Sequence, residues 1–202
     1  MTNKVWYPVV YMFIVTAFFS SVLIGFTFST QERVEANEQI AFERAVLEAV
    51  ARNGDLKRQQ VHDKFVELMQ GPKEDGSYEL VEDGETKGYA LPVAGKGFWA
   101  PIRGVIGFEK DRKTITGIAF YEQNETPGLG GKIMEEDWRR QFQGKVIAQQ
   151  GKPLQIEPYG SELDQNEVEA ITGATQTVKR LEVLINEDIQ QWKGGSTETD
   201  KS

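Results

Sequence analysis

Glu169-Ala170-Ile171-Thr172-Gly173-Ala174-Thr175-Gln176-Thr177 leads directly into a run that places Val178, Leu181, Ile185, Ile189 and Trp192 on one stripe. That spacing predicts an amphipathic helix from about Ala174 to Trp192, with the small polar residues at its mouth. Backbone N–H groups and the helix dipole favour a phosphate at such a place. Thr172 and Thr175 bring hydroxyls to it. On these residues alone, Thr172 reads as an N-cap accepting a first-turn N–H, with Thr175 three residues on, and the pair does no more than cap a helix. Gly173 and Ala174 keep the surroundings small, so a bulky group can also reach Thr175. Both readings stand at this level.

Upstream of this stretch the pattern is that of strands. Tyr78-Glu79-Leu80-Val81 leads through Asp83-Gly84, a hairpin signal, to Lys87–Val93. A loop with bulky aromatics follows, Gly95-Lys96-Gly97-Phe98-Trp99-Ala100-Pro101. Ile102–Phe108 and Thr114–Tyr121 read as two further strands. The second alternates, with Ile115, Gly117, Ala119 and Tyr121 on one face and Thr116, Ile118 and Phe120 on the other. Glu135–Gln143 suits a short helix carrying Trp138 and Phe142, and Lys145–Ala148 and Pro153–Glu157 suit short strands. Before the strands, Gln31–Asn53 has helical periodicity, Gly54-Asp55 breaks it, and a second helix is expected over Leu56–Gln70, with Val61, Phe65, Leu68 and Met69 inward and Gly71-Pro72 as its stop.

Val5–Thr30 carries no charge. At about 1.5 Å per residue such a run crosses a bilayer core of roughly 30 Å as a helix. Trp6, Tyr7 and Tyr11 stand at its start, as interfacial aromatics do. The apolar run is too long for a signal peptide and Phe26-Thr27-Phe28-Ser29 is a poor cleavage site, so an uncleaved anchor is expected. Lys4 on one side and Arg33 and Arg44 on the other leave the orientation open by charge. The fold class expected is therefore α+β: an N-terminal transmembrane helix, then an antiparallel sheet flanked by helices. The divisions are an anchor over 1–30, a helical stalk and linker over 31–76, the globular domain over 77–193 and a polar tail over 194–202.

Composition removes several function classes. The chain has no cysteine, which excludes a lipoprotein anchor, a disulfide and a thiolate site. A net charge of −8 without a basic stripe argues against nucleic acid. The single histidine, His62, lies in the polar stretch Gln59-Gln60-Val61-His62-Asp63 and reads as a surface residue. Little is left for a histidine metal site or a serine–histidine hydrolase.

The second candidate segment is Glu125-Thr126-Pro127-Gly128-Leu129-Gly130-Gly131. Pro127 fixes one φ angle and the glycines permit a close approach of backbone to a ligand. It is neither a dinucleotide fingerprint nor a Walker loop, because the spacing differs and Gly-Lys-Ser/Thr is absent. By itself it also reads as an ordinary tight loop.

Together, the two segments and the anchor resemble the FMN-binding domain family, whose members include one subunit of the sodium-pumping NADH:quinone oxidoreductase and one of the Rnf electron-transport complex. The resemblance rests on Glu125–Gly130 and on Thr172-Gly173-Ala174-Thr175, which match family motifs residue by residue. It implies FMN held covalently on Thr175 by a phosphoester, attached by a separate flavin transferase that uses FAD and magnesium. It implies cofactor-binding roles for Thr172, Gly173 and Ala174 and for Glu125, Thr126, Pro127, Gly128, Leu129 and Gly130, with Leu129 and the surrounding backbone bedding the flavin ring. Phe98 and Trp99 are weaker candidates for that bed, and Lys132 and Lys179 for offsetting phosphate charge. It further implies an extracytoplasmic domain on the inner membrane, relaying single electrons among partner membrane subunits. Gly97–Gly104 and the segment around Tyr121-Glu122 lean toward the sodium pump, and the short length toward Rnf. Two departures are visible: Glu169 stands where the motif has aspartate, and Gln123 or Asn124 where histidine is frequent. A non-redox structural subunit is the competing reading.

Overall fold

The computed structural model describes residues 6–52, 54 and 56–195. Lys4 of the charge comparison, Asp55 of the expected helix break and residues 196–202 of the expected polar tail lie outside the described residues. The chain divides into two compact units, Met1–Gln39 and Ile40–Ser202. Helix α1, Trp6–Ala49, contributes to both.

In the first unit the helix is long and apolar enough to cross a membrane, judged by length and composition. Three of its hydroxyls are satisfied within the helix: Ser21, Thr27 and Thr30 donate to the carbonyls of Ala17, Leu23 and Phe26 at 2.7, 2.9 and 3.0 Å. Such back-bonding is what a polar side chain needs where water is scarce.

The second unit is built on a five-stranded antiparallel sheet in the order β1 (Met69–Gln70), β2 (Tyr78–Glu82), β3 (Glu85–Lys96), β4 (Pro101–Glu109), β5 (Ile115–Glu122). Alternation divides its side chains between two cores. On one face, Leu80, Ala90, Val105 and Ala119 meet Val46, Leu47 and Ala49 from the end of α1 and Val61 and Leu68 from α2, Arg58–Leu68. On the other, Leu91, Val93, Ile102, Ile106 and Phe108 meet the stripe Val178, Leu181, Ile185, Ile189 and Trp192 of α4, Thr175–Gly195. Trp138 of α3 (Glu136–Arg139), Phe142 and the parallel pair β6 (Gln155–Glu157) and β7 (Glu167–Glu169) close that second core.

Three expectations are corrected and one strand is added. Ile115 does not share a face with Ala119 and Tyr121, because a bulge between β4 and β5 leaves Thr116 unopposed and turns Ile115 to the side of Ile118 and Phe120. Thr116 instead donates to the Ala49 carbonyl at 2.7 Å. Met69 and Gln70 leave the helix and pair with Leu80 and Glu79, since the sheet edge offers backbone partners that a last helical turn would lack. Lys145–Ala148 forms a single bridge, Thr114 with Val146, and no strand. Strand β7 went unread in the sequence, where three residues carry too little periodicity.

His62, at the surface as expected, pairs through Nδ1 with the buried Glu43 carboxylate at 2.9 Å. The hydrogen bond to Glu43, and then its charge, raise the imidazole pKa above the ordinary 6.5. A raised folded-state pKa gives stability that is full below the unfolded value and lost as pH rises through the folded one. The thermal midpoint is therefore expected to fall as pH climbs from below 6.5 through the raised value. His62→Gln should flatten that slope. Calorimetry of both proteins across pH reads it, and a slope that survives the substitution rejects the pairing.

Candidate functional site

The loop between β3 and β4, the loop after β5 and the start of α4 converge at one end of the domain. Their meeting point is the Glu125 carboxylate, which is 5% exposed. Its Oε1 accepts the backbone N–H groups of Phe98 and Trp99 at 2.8 and 3.0 Å. Its Oε2 accepts the hydroxyl of Thr177, in the first turn of α4. Three segments far apart in sequence are thereby tied to one buried charge, and charge-assisted bonds of this kind are the strong ones. Trp99 Nε1 adds a bond to Thr126 Oγ1 at 3.2 Å.

The convergence leaves a cleft of about 220 Å³ lined by Phe98, Trp99, Thr126, Leu129, Gly130 and the segment Gly173–Thr177. Phe98 and Trp99 meet edge to face at 4.9 Å and remain 41% and 68% exposed. Leu129 forms the opposite apolar wall. Gly130 cannot be enlarged, because a Cβ there would lie 2.4 Å from Thr177 Oγ1. Gly173 has φ +81°, and its missing Cβ would stand 3.0 Å from Leu129 Cδ2.

Thr172 is not the N-cap. The Ala174 N–H bonds to the Ile171 carbonyl at 3.1 Å, so Thr172 and Gly173 are the central residues of a β-turn whose third position needs the positive φ of glycine. The first helical bond, from Val178 N–H, is accepted by the Ala174 carbonyl at 3.0 Å. Ala174 therefore holds the N-cap position, where alanine offers no side-chain acceptor and ranks among the poorest residues. The first-turn N–H groups, which no helix satisfies internally, thus point out beside Thr175, whose side chain is exposed and has no hydrogen-bond partner among the described residues.

Of the residues singled out in the sequence, Thr126, Leu129, Gly130, Gly173, Ala174 and Thr175 line the cleft. Thr172, Glu125, Pro127 and Gly128 do not; Glu125 holds the walls together from behind. Phe98 and Trp99, the weaker candidates, line it fully, and Gln176 and Thr177 were missed. Thr177 carried a faint signal as a hydroxyl two residues beyond Thr175, but its partner lies 52 residues away. Lys132 lies off the cleft and Lys179 lines a neighbouring groove. Glu169 Oε1 accepts the Gly160 N–H at 3.1 Å, so the carboxylate that stands for the motif's aspartate braces the preceding loop.

This α+β domain, with its glycine-floored aromatic cleft against an uncapped helix, is a cofactor-binding fold. Residues 97–190 match the FMN-binding domain family. Among curated relatives, the NqrC component of the Na+-translocating NADH-quinone reductase of Vibrio vulnificus is 32% identical over 157 residues, covering 74% of this chain and 59% of the relative. Its counterpart from Haemophilus ducreyi is 36% identical over 119 residues, covering 57% and 45%. The chain thus spans about three-fifths or less of these two relatives' length. The solved structure of the corresponding protein from Parabacteroides distasonis superposes with a TM-score of 0.67 at 25% identity, covering 81% of this chain and 94% of that one. NqrC of Shewanella oneidensis has the same fold, with a TM-score of 0.63 at 22% identity over 80% and 99% of the two chains.

Removing the Glu125 carboxylate leaves two backbone donors and one hydroxyl without their acceptor. Glu125→Ala is expected to destabilise the domain by about 2–3 kcal/mol, and Thr177→Val by about 1 kcal/mol. Urea unfolding of both variants measures this. Loss of less than about 0.5 kcal/mol in the alanine variant, the ordinary scatter of surface substitutions, refutes the clamp.

Proposed function

We propose that this protein is a membrane-anchored electron carrier with FMN joined through its phosphate to Thr175. The observation that carries the reading is Thr175 itself: an exposed hydroxyl with no competing partner, at an uncapped helix N-terminus, on the lip of an aromatic cleft. The residues present fit the group. The first-turn N–H groups beside Thr175 suit a phosphate oxygen, the glycine floor leaves room for a planar ring, and Phe98, Trp99 and Leu129 supply an apolar bed. The flavin, when bound, supplies the ability to accept and pass on electrons; the protein supplies placement and electrostatics. In the attachment step Thr175 Oγ forms a bond to the flavin's phosphorus and gives up its proton. With FAD as donor under a flavin transferase, the bond between the two phosphates breaks and AMP leaves.

The relatives support assignment to a sodium-translocating NADH:quinone reductase complex over the Rnf complex. In this reading the apolar part of α1 anchors the chain in the inner membrane, the domain stands on the periplasmic side, and the partners are the complex's other membrane subunits.

Coexpression with a flavin transferase is expected to add the mass of one FMN less one water, with in-gel fluorescence under ultraviolet light. Thr175→Ala should lose both. An unmodified, colourless wild type would sink covalent attachment and favour a non-redox structural subunit.

A further inference from the structure

Phe98 stands between two charges. Its backbone N–H donates to the buried Glu125 carboxylate, and its ring lies 5.9 Å from the guanidinium carbon of Arg180, on the second turn of α4. The Arg180 Nε is shielded from solvent and has no hydrogen-bond partner, and among the described residues no carboxylate pairs with this side chain. A buried donor and a charge held without a counter-ion are both costly unless something completes them. An aromatic face offsets only part of that cost. Arg180 also lines a groove of about 430 Å³ that adjoins the flavin cleft at Gln176, together with Lys96, Lys179 and Glu187. The lysines on that groove are exposed and their fields are screened by water and salt. Arg180 is half-buried, one aromatic ring from the cleft.

We infer that Arg180 sets the charge of the flavin cleft: its guanidinium offsets the Glu125 carboxylate and stabilises the negative charge that the flavin gains when it accepts an electron. The inference rests on the flavin reading above. It casts Arg180 as a positioning residue acting through space and through Phe98, with no contact to the flavin implied. Without Arg180, Glu125 would be the charge most shielded from solvent beside the cleft, and a carboxylate there opposes reduction. Arg180 thus pulls the midpoint potential upward. Lys179, out in solvent, contributes little to it.

The test is a reductive titration, with dithionite and redox dyes, of the full-length flavinylated protein in detergent, after the flavin content of each variant has been fixed by mass. At the wild-type midpoint, Arg180→Gln should cut the reduced-to-oxidised ratio on the order of tenfold, about 59 mV more negative for one electron. Arg180→Lys should recover most of the shift, and Lys179→Gln should move it far less. Arg180→Met, which keeps the apolar stem, serves if the glutamine variant folds poorly. A fully flavinylated Arg180→Gln or Arg180→Met protein with an unmoved potential overturns the inference alone. A wild type that carries no flavin overturns the attachment reading and this one with it.

Discussion

Everything at the functional end of this domain depends on one buried carboxylate. Glu125 gathers the Phe98 and Trp99 amides and the Thr177 hydroxyl, and so joins the β3–β4 loop, the loop after β5 and the first turn of α4. Burying a carboxylate is costly unless its oxygens are engaged, so the three segments depend on one another. Any relaxation of one segment exposes the charge's need for the other two. The cleft keeps its shape for the same reason: the walls on either side of Thr175 are anchored to a common point behind the glycine floor.

That clamp also explains how α4 can begin without a side-chain cap. A serine or aspartate at the Ala174 position would satisfy a first-turn N–H and stabilise the helix by about 1 kcal/mol. The chain forgoes this, and instead secures the helix by its buried stripe from Val178 to Trp192 and by Thr177 on Glu125. The helix mouth is left with small residues, unsatisfied donors and an unengaged hydroxyl. The interior of the helix carries the folding load, and in the proposed reading the ligand would supply the stability withheld at its mouth.

How much of this was legible in the sequence follows from the range of each interaction. The stripe of α4, the strand character of β3 and β4 and the apolar run of α1 are local patterns, and each was readable. The Thr175 segment and the Glu125–Gly130 loop were readable as motifs but not as a geometry. Thr172 looked like a cap because its side chain can cap; only the turn closed by Ala174 N–H shows that the helix starts later. The reversed face of Ile115 came from a bulge, which alternation cannot reveal. Glu125 read as one of the cofactor-binding residues, and its role in tying the walls together was not legible, because its partners lie 26, 27 and 52 residues away. Pairings of that separation leave no periodic trace.

The shallowness of the cleft gives the proposed covalent attachment its physical sense. Pockets that hold drug-sized ligands without a bond enclose about 300–1,000 Å³ and bury most of the ligand's surface. The cleft beside Thr175 offers about 220 Å³ between walls that are themselves largely in solvent. A cleft of this size would enclose only part of a flavin, and deepening it would bury the ring edge that the proposed electron transfer needs. In the proposed reading, a bond from Thr175 to the phosphate would separate the two demands. Retention would then come from the covalent link, the ring could remain at the surface, and the residues around it would be free to serve orientation and charge in place of affinity.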